Sequence, residues 1–201
     1  LARELSRDSS IKWLMIDKAK SVGGRMATRR IDGQKFDHGA QFFTARTDRF
    51  QKLIDQLRMQ GVIKVWSHGF PLLLDGVVIS RPDGHPRYAC SAGMSELAKA
   101  LLPAGVEFLT STQVTAVVPV QGDAVDGARY EVLCRDSTVC LARDVVLNMP
   151  PVQLLQVAKA VLGDADVAAL SALTMEPCWA MGGCLSQDIP LDAVAVECQH
   201  P

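Results

Sequence analysis

The apolar positions of this chain change period from one segment to the next. Residues 11–16 read Ile11-Lys12-Trp13-Leu14-Met15-Ile16, a short and nearly continuous apolar run closed by the carboxylate of Asp17. A run of that length predicts a parallel strand buried on both faces. Residues 1–8 precede it as the tail of a helix, with Leu1 and Leu5 on one face. From Asp48 onward Phe50, Leu53, Ile54 and Leu57 fall at i, i+3, i+4 and i+7, the apolar stripe of a helix. Asp48 stands at its N-cap, Gln51 completes a capping-box-like pair, and Gly61 ends it. Short strand-like pieces follow at 62–66, 71–74 and 76–80, then a loop over 81–86.

Residues 87–90 read as extended. Met94, Leu97, Ala98 and Leu101 form a second helical stripe, stopped by Pro103. Strands are expected at 106–109, 112–120, 130–135 and 139–142, with a turn-rich loop around Gly122-Asp123 and Asp126-Gly127. Residues 144–147 form a second buried-strand candidate that ends at Asn148-Met149-Pro150-Pro151. The prolines open a helix carrying Leu154, Leu155, Ala158 and Leu162, and a further helix spans 166–173. No clear period marks 185–201. Buried strands alternating with helices, broken by a strand-rich meander, argue for an α/β fold. The chain leaves its first unit near residue 46 and returns near residue 90, so interleaved domains are expected rather than consecutive ones.

Composition adds limits. The 201 residues, 48% hydrophobic and 21% charged, are enough for one large or two small domains with a sizeable core. A net charge of −1 gives no electrostatic case for nucleic acid or an anionic membrane. No apolar run approaches the roughly 18 residues of a membrane span, and a cytoplasmic location is expected. Of the six cysteines none forms C-x-x-C, and no histidine stands at zinc-ligand spacing from them. They read as small buried hydrophobes in a reducing compartment, and no metal site is expected.

The chemistry concentrates between residues 17 and 43. An acid at the carboxyl end of a nucleotide-unit strand can accept hydrogen bonds from both ribose hydroxyls of an adenosine. The alternative for Asp17 is a simple turn cap beside Lys18. Gly23-Gly24-Arg25 adds a backbone that a ligand can approach closely and a guanidinium suited to phosphate. Arg29 and Arg30 read as a solvated charge run, with Asp32-Gly33 as a turn. His38 reads as a structural histidine. Trp179 beside Cys178 lines a pocket or packs a core, and the pattern does not choose between them. The dinucleotide fingerprint G-x-G-x-x-G would stand about 20 residues before the acid. Only sixteen residues precede Asp17, and none is glycine.

These residues carry a resemblance. Asp17-Lys18-x-x-x-Val22-Gly23-Gly24-Arg25-Met26-Ala27-Thr28-Arg29-Arg30 resembles the flavin-containing amine oxidase superfamily. Phe36-Asp37-His38-Gly39-Ala40-Gln41-Phe42-Phe43-Thr44-Ala45-Arg46 narrows it to the renalase-like, FAD-dependent branch. Gly93-Met94-Ser95-x-Leu97-Ala98, Val145-Val146-Leu147-Asn148-Met149-Pro150 and Met175-x-Pro177-Cys178-Trp179-Ala180 are similar to that branch as well.

The resemblance implies an FAD-binding Rossmann-like domain interleaved with a mixed-sheet substrate domain. Residues 1–45 and 86–150 would form the first, and 46–85 with 151–201 the second. Both the family's upstream glycine loop and its carboxyl-terminal Gly-Asp segment are missing, so the FAD domain is expected to be incomplete. Asp17 would hold the adenosine ribose, Gly24 and Arg25 the phosphate and ribose region, and Val114 the adenine through its backbone. Gly39, Ala40, Gln41 and Phe42 would pass along the isoalloxazine, and Pro150 would turn beneath it. The implied reaction passes hydride from a dihydropyridine-type, dihydronicotinamide substrate to the flavin, then reduces O2 to hydrogen peroxide. The alternatives are an amine oxidase acting on a small amine, or a non-catalytic remnant.

Overall fold

The computed structural model describes residues 1–80, 83–122, 125–176, 178–184, 186 and 197–198. Arg81 and Pro82 of the expected loop, Asp123, Pro177 and most of 185–201 lie outside the described residues. In chain order the elements are α1 (Ala2–Leu5), β1 (Leu14–Ile16), β2 (Thr28–Ile31), β3 (Gln34–Asp37), α2 (Asp48–Met59), β4 (Ile63–Ser67), β5 (Leu72–Leu74), β6 (Val77–Ile79) and β7 (Arg87–Cys90). Then come α3 (Ser95–Leu101), β8 (Glu107–Leu109), β9 (Val114–Pro119), β10 (Tyr130–Cys134), β11 (Val139–Ala142), α4 (Pro151–Ala158), α5 (Asp164–Ser171) and the short β12 (Glu197–Cys198). Among the described residues the fold is mixed α/β, built from several small sheets with no closed barrel. Two units emerge from the contacts. One comprises 1–8, 22–104 and the described residues from 180 on; the other comprises the described residues of 9–21 and 105–179.

The first unit is organised by α2. Thr47, not Asp48, is its N-cap, because the Thr47 hydroxyl accepts from the Phe50 N–H at 3.3 Å. Gln51 does not close a capping box either. Its side chain reaches along the helix to Asp55 and across to the Tyr88 hydroxyl. At the other end Gly61, at φ 72°, lets the Val62 N–H return to the Leu57 carbonyl at 3.0 Å. The stripe read from the sequence then packs as expected. Ile54 and Leu57 join Ile63, Tyr88, Cys90, Met94 and Leu97 in one buried cluster, with Phe43, Phe50 and Leu53 against it. Antiparallel β4 and β7 form its floor, and Phe43 adds a bridge on Tyr88, exchanging both backbone hydrogen bonds with it.

Residues 28–37 of the same unit form a hairpin that their polar composition concealed. Asp32 at φ 49° and Gly33 at φ 77° supply the two left-handed residues of a type I′ turn. That turn pairs Thr28 with Asp37.

In the second unit β1 pairs in parallel with β8. The expected strand is thus present, though shorter, and its residues are half-buried rather than fully buried. β9, β10 and β11 form an antiparallel sheet, and α4 packs on β9 over Val117 and Ala158. Pro151 opens α4 as expected. The second buried-strand candidate is a correction: residues 144–148 pair in no ladder among the described residues, and Val146 is 66% exposed. The cysteines divide. Cys90 and Cys134 are buried as anticipated, whereas Cys178 and Cys184 are exposed. Trp179 is 94% exposed and packs in no core among the described residues. No helix among the described residues is long and apolar enough to cross a membrane.

Candidate functional site

The residues singled out by sequence fall into two groups, one in each unit. Asp17, Val114 and Pro150 belong to the second unit; Gly24, Arg25, Gly39, Ala40, Gln41 and Phe42 belong to the first.

In the second unit, the parallel ladder continues through the Asp17 N–H, which donates to the Leu109 carbonyl at 2.9 Å. The Asp17 carbonyl in turn accepts from the Thr112 N–H at 3.0 Å, two residues before Val114. The end of β1 and the start of β9 are thereby held together. The Asp17 carboxylate accepts the Ala19 N–H through Oδ1 at 2.8 Å, an Asx turn that orients it. One such bond leaves a carboxylate with further acceptor capacity, enough for a ribose diol. Pro150 sits at the N-cap of α4, its carbonyl accepting from the Leu154 N–H at 2.9 Å. Since α4 packs on β9, the second unit carries Asp17, Val114 and Pro150 on connected elements.

In the first unit, Gly23 (φ 136°) and Gly24 (φ 51°) turn the chain into one 3-10 turn over Gly24–Met26. A Cβ at Gly24 would meet nothing within 4 Å, so this turn faces open space. Arg25 is exposed, and its guanidinium has no hydrogen bond or ion pair among the described residues. Behind the turn lies the second motif. The Ala40 N–H donates to the Arg25 carbonyl at 2.9 Å, and a Cβ at Gly39 would stand 1.9 Å from that same oxygen. Gly39 is therefore demanded by close backbone approach, not by φ. Gln41 is exposed, while the Phe42 ring packs edge-on to Phe70, with centroids 5.0 Å apart, and beside Trp66 at 6.0 Å. The Arg87 guanidinium lies over Phe70, 5.4 Å from its centroid, and is gripped by both Asp83 oxygens. The Arg87 hydrogen bond, followed by that of the His85 N–H, holds the Asp83 carboxyl far below the usual carboxylate range.

Sequence reasoning missed the supports of this pair of loops. Thr28 Oγ1 donates to Asp37 Oδ1 at 2.6 Å, and the same carboxylate oxygen accepts the Met94 N–H at 2.9 Å. Thr28 Oγ1 also accepts from the Ser95 N–H at 3.0 Å. The signal that could have found them is the Asp32-Gly33 turn, since counting outward from it sets Thr28 opposite Asp37. A groove of about 630 Å³ between α1, α2 and the end of α3 is lined by Arg3, Leu53, Gln56 and Leu101 among others, and by none of the candidate residues. Among the described residues no cluster of His, Cys, Asp or Glu could hold a metal ion.

Residues 1–57, which contain both glycine turns and Asp17, match the family model of the NAD(P)-binding Rossmann-like domain. The match supports a flavin- or NAD-dependent oxidoreductase. It is consistent with a dinucleotide cofactor and a small-molecule substrate.

Proposed function

We propose that this chain carries the dinucleotide-binding portion of an FAD-dependent oxidoreductase of the renalase-like kind. The observation that carries the reading is Arg25: a guanidinium without an ion pair among the described residues, on a glycine turn open to solvent and braced from behind by Gly39 and Ala40. A rigid planar donor presented this way suits a diphosphate. The second unit, taken by itself, carries an acceptor suited to a nucleoside, the Asp17 carboxylate for the ribose hydroxyls. A carboxylate there also disfavours a 2′-phosphate, which argues against NADP.

Bound FAD would supply the redox chemistry, accepting a hydride from a dihydropyridine substrate and delivering two electrons and two protons, the second proton drawn from solvent, to O2 to give hydrogen peroxide. The tasks left to the chain are binding and orientation. Asp17 orients the adenosine, Arg25 neutralises phosphate charge, and the backbone of 39–42 offers amide dipoles to the ring system. Phe42, whose ring packs against Trp66 and Phe70, would anchor the end of that backbone. No side chain in this set needs to act as a general acid or base.

The test is a titration of FAD and of FMN onto the purified chain, followed by flavin fluorescence. FAD is expected to bind more tightly than FMN, and Asp17→Ala is expected to remove that difference. Equal affinities for FAD and FMN in the parent chain would overturn the assignment of Asp17 and with it the choice of FAD.

A further inference from the structure

Three segments distant in sequence meet in the first unit: the Gly23-Gly24-Arg25 turn, the 37–42 stretch, and the Gly93-Met94-Ser95 entry to α3. Their meeting point is the pair Thr28 and Asp37. We propose that these two are positioning residues, which fix the Arg25 turn and the 39–42 loop to the buried start of α3. The functional part of this statement rests on the FAD reading above; the mechanical part does not.

The geometry runs as a chain of short contacts. Met94 is fully buried in the core cluster with Ile54 and Leu57, and Ser95 is 3% exposed. Their amides are therefore among the least mobile donors in the unit. Both point at the hairpin: Met94 N–H to Asp37 Oδ1 and Ser95 N–H to Thr28 Oγ1. The Thr28 hydroxyl closes the triangle on Asp37. Gly93, at φ 97°, must be glycine for this approach, since a Cβ there would lie 2.5 Å from Thr28 Oγ1 and Cγ2.

Thr28 follows Arg25 by three residues, and Asp37 precedes Gly39 by two, so neither loop has slack beyond its anchor. The two loops are then tied to each other through the Arg25 carbonyl, which accepts the Ala40 N–H. The far end of 39–42 is clamped as well, because Phe43 exchanges both backbone hydrogen bonds with Tyr88. Asp37 and Thr28 thus complete the anchoring on the one side that the β-bridge does not reach. A purely local role, capping α3 or closing the hairpin, would leave 38–43 indifferent to their loss.

The experiment is hydrogen–deuterium exchange on the full 201-residue chain without ligand, comparing the parent with Thr28→Val, Thr28→Ser, Asp37→Ala and Asp37→Asn. Thr28→Val and Asp37→Ala are expected to speed exchange of the 38–43 amides by about tenfold or more, the scale of one charge-assisted hydrogen bond. Thr28→Ser and Asp37→Asn keep the hydroxyl and the carbonyl oxygen, and are expected to stay within about threefold of the parent. Amides of 114–134, in the other unit, serve as the control for global unfolding. Faster exchange confined to 94–101, with 38–43 unchanged, would overturn the proposal in favour of a helix cap. Failure of Thr28→Ser to restore protection would overturn it too. FAD titration of the same variants forms a second arm, in which Thr28→Val should weaken binding by about tenfold and Thr28→Ser should not. Loop loosening as expected in a parent chain that binds no FAD would overturn the functional reading and leave the mechanical one standing.

Discussion

The two glycines that flank Arg25 in space obey opposite demands. Gly39 is pressed against backbone: a methyl group there would overlap the Arg25 carbonyl. Gly24 faces nothing within 4 Å and is glycine for its left-handed φ of 51°. Gly39 is thus spent on holding two parts of the chain together, while Gly24 leaves a clear approach beside a guanidinium. The difference separates scaffold from surface within one motif. A residue required by contact says how the two loops are held together, and an open glycine next to an exposed guanidinium leaves that guanidinium accessible.

The largest effect should come from breaking the scaffold side. Gly39→Ala forces the 39–42 loop off the Arg25 carbonyl and loses the Ala40 hydrogen bond. The overlap and the lost bond together should destabilise the first unit by about 2–4 kcal/mol. Urea unfolding followed by exchange of the 38–43 and 94–101 amides would measure it. A change below about 0.5 kcal/mol, the range of an ordinary surface substitution, would mean the loop relaxes freely and braces nothing.

Next in size is Arg25→Ala, which acts on the open side. If the guanidinium meets phosphate, FAD affinity should fall by about 1.5–3 kcal/mol with stability almost unchanged. Isothermal titration calorimetry on the parent and variant gives the number. A stability loss with no affinity loss would reverse the assignment and make Arg25 part of the scaffold.

Gly24→Ala should be smaller in stability than either. The new methyl meets no atom, so the cost is that of a left-handed alanine, about 1 kcal/mol. It does, however, place that methyl on the face where the ligand is expected to approach, so its effect on FAD affinity should exceed its effect on folding. Parallel melting and titration experiments compare the two. An unfolding cost as large as that of Gly39→Ala would erase the contrast between the two glycines.

What could be read from the sequence follows the range of the forces involved. The α2 stripe was legible because its determinants are local: four apolar positions on one face and a glycine at the end. Its N-cap was misplaced by a single residue because Thr47 and Asp48 both carry a capping oxygen, and only geometry shows which one reaches the Phe50 amide. The β2–β3 hairpin was half legible. Its turn announced itself, but its strands are polar and mostly exposed, so no alternation betrayed them.

The runs at 11–16 and 144–147 looked alike, yet only the first has a ladder, with β8 as its partner. Strand pairing depends on a second segment, and an apolar run does not name it. The least legible feature is the Thr28–Asp37–Met94 contact, whose partners stand 57 and 67 residues from the helix entry they hold. Gly23-Gly24-Arg25 and Asp37-His38-Gly39 were visible as motifs. That one lies on the back of the other was not, since it is a single backbone contact between segments that share no pattern.

The smallest expected effect tests whether the contrast is about position or merely about charge. Arg25 and Arg30 are both exposed arginines on the same short stretch, and a purely electrostatic attraction for an anion would use both. Their surroundings differ. Arg30 sits on β2 and directs its guanidinium toward the Ala92 carbonyl and Glu96, each at 3.4 Å, so part of its charge is already matched. Glu96 is shared with Lys99, whose hydrogen bond is the main reason its carboxyl titrates below the ordinary range. Such long, solvent-screened contacts are worth little to folding. Arg30→Ala should therefore change both FAD affinity and stability by less than about 0.5 kcal/mol. The discriminating measurement is the pair of single variants titrated at low and high salt. Arg25→Ala should flatten the salt dependence of FAD binding, and Arg30→Ala should leave it as it is. If removing Arg30 cost as much affinity as removing Arg25, the anion would be responding to the whole basic stretch, and the open glycine turn would lose its special claim to the phosphate.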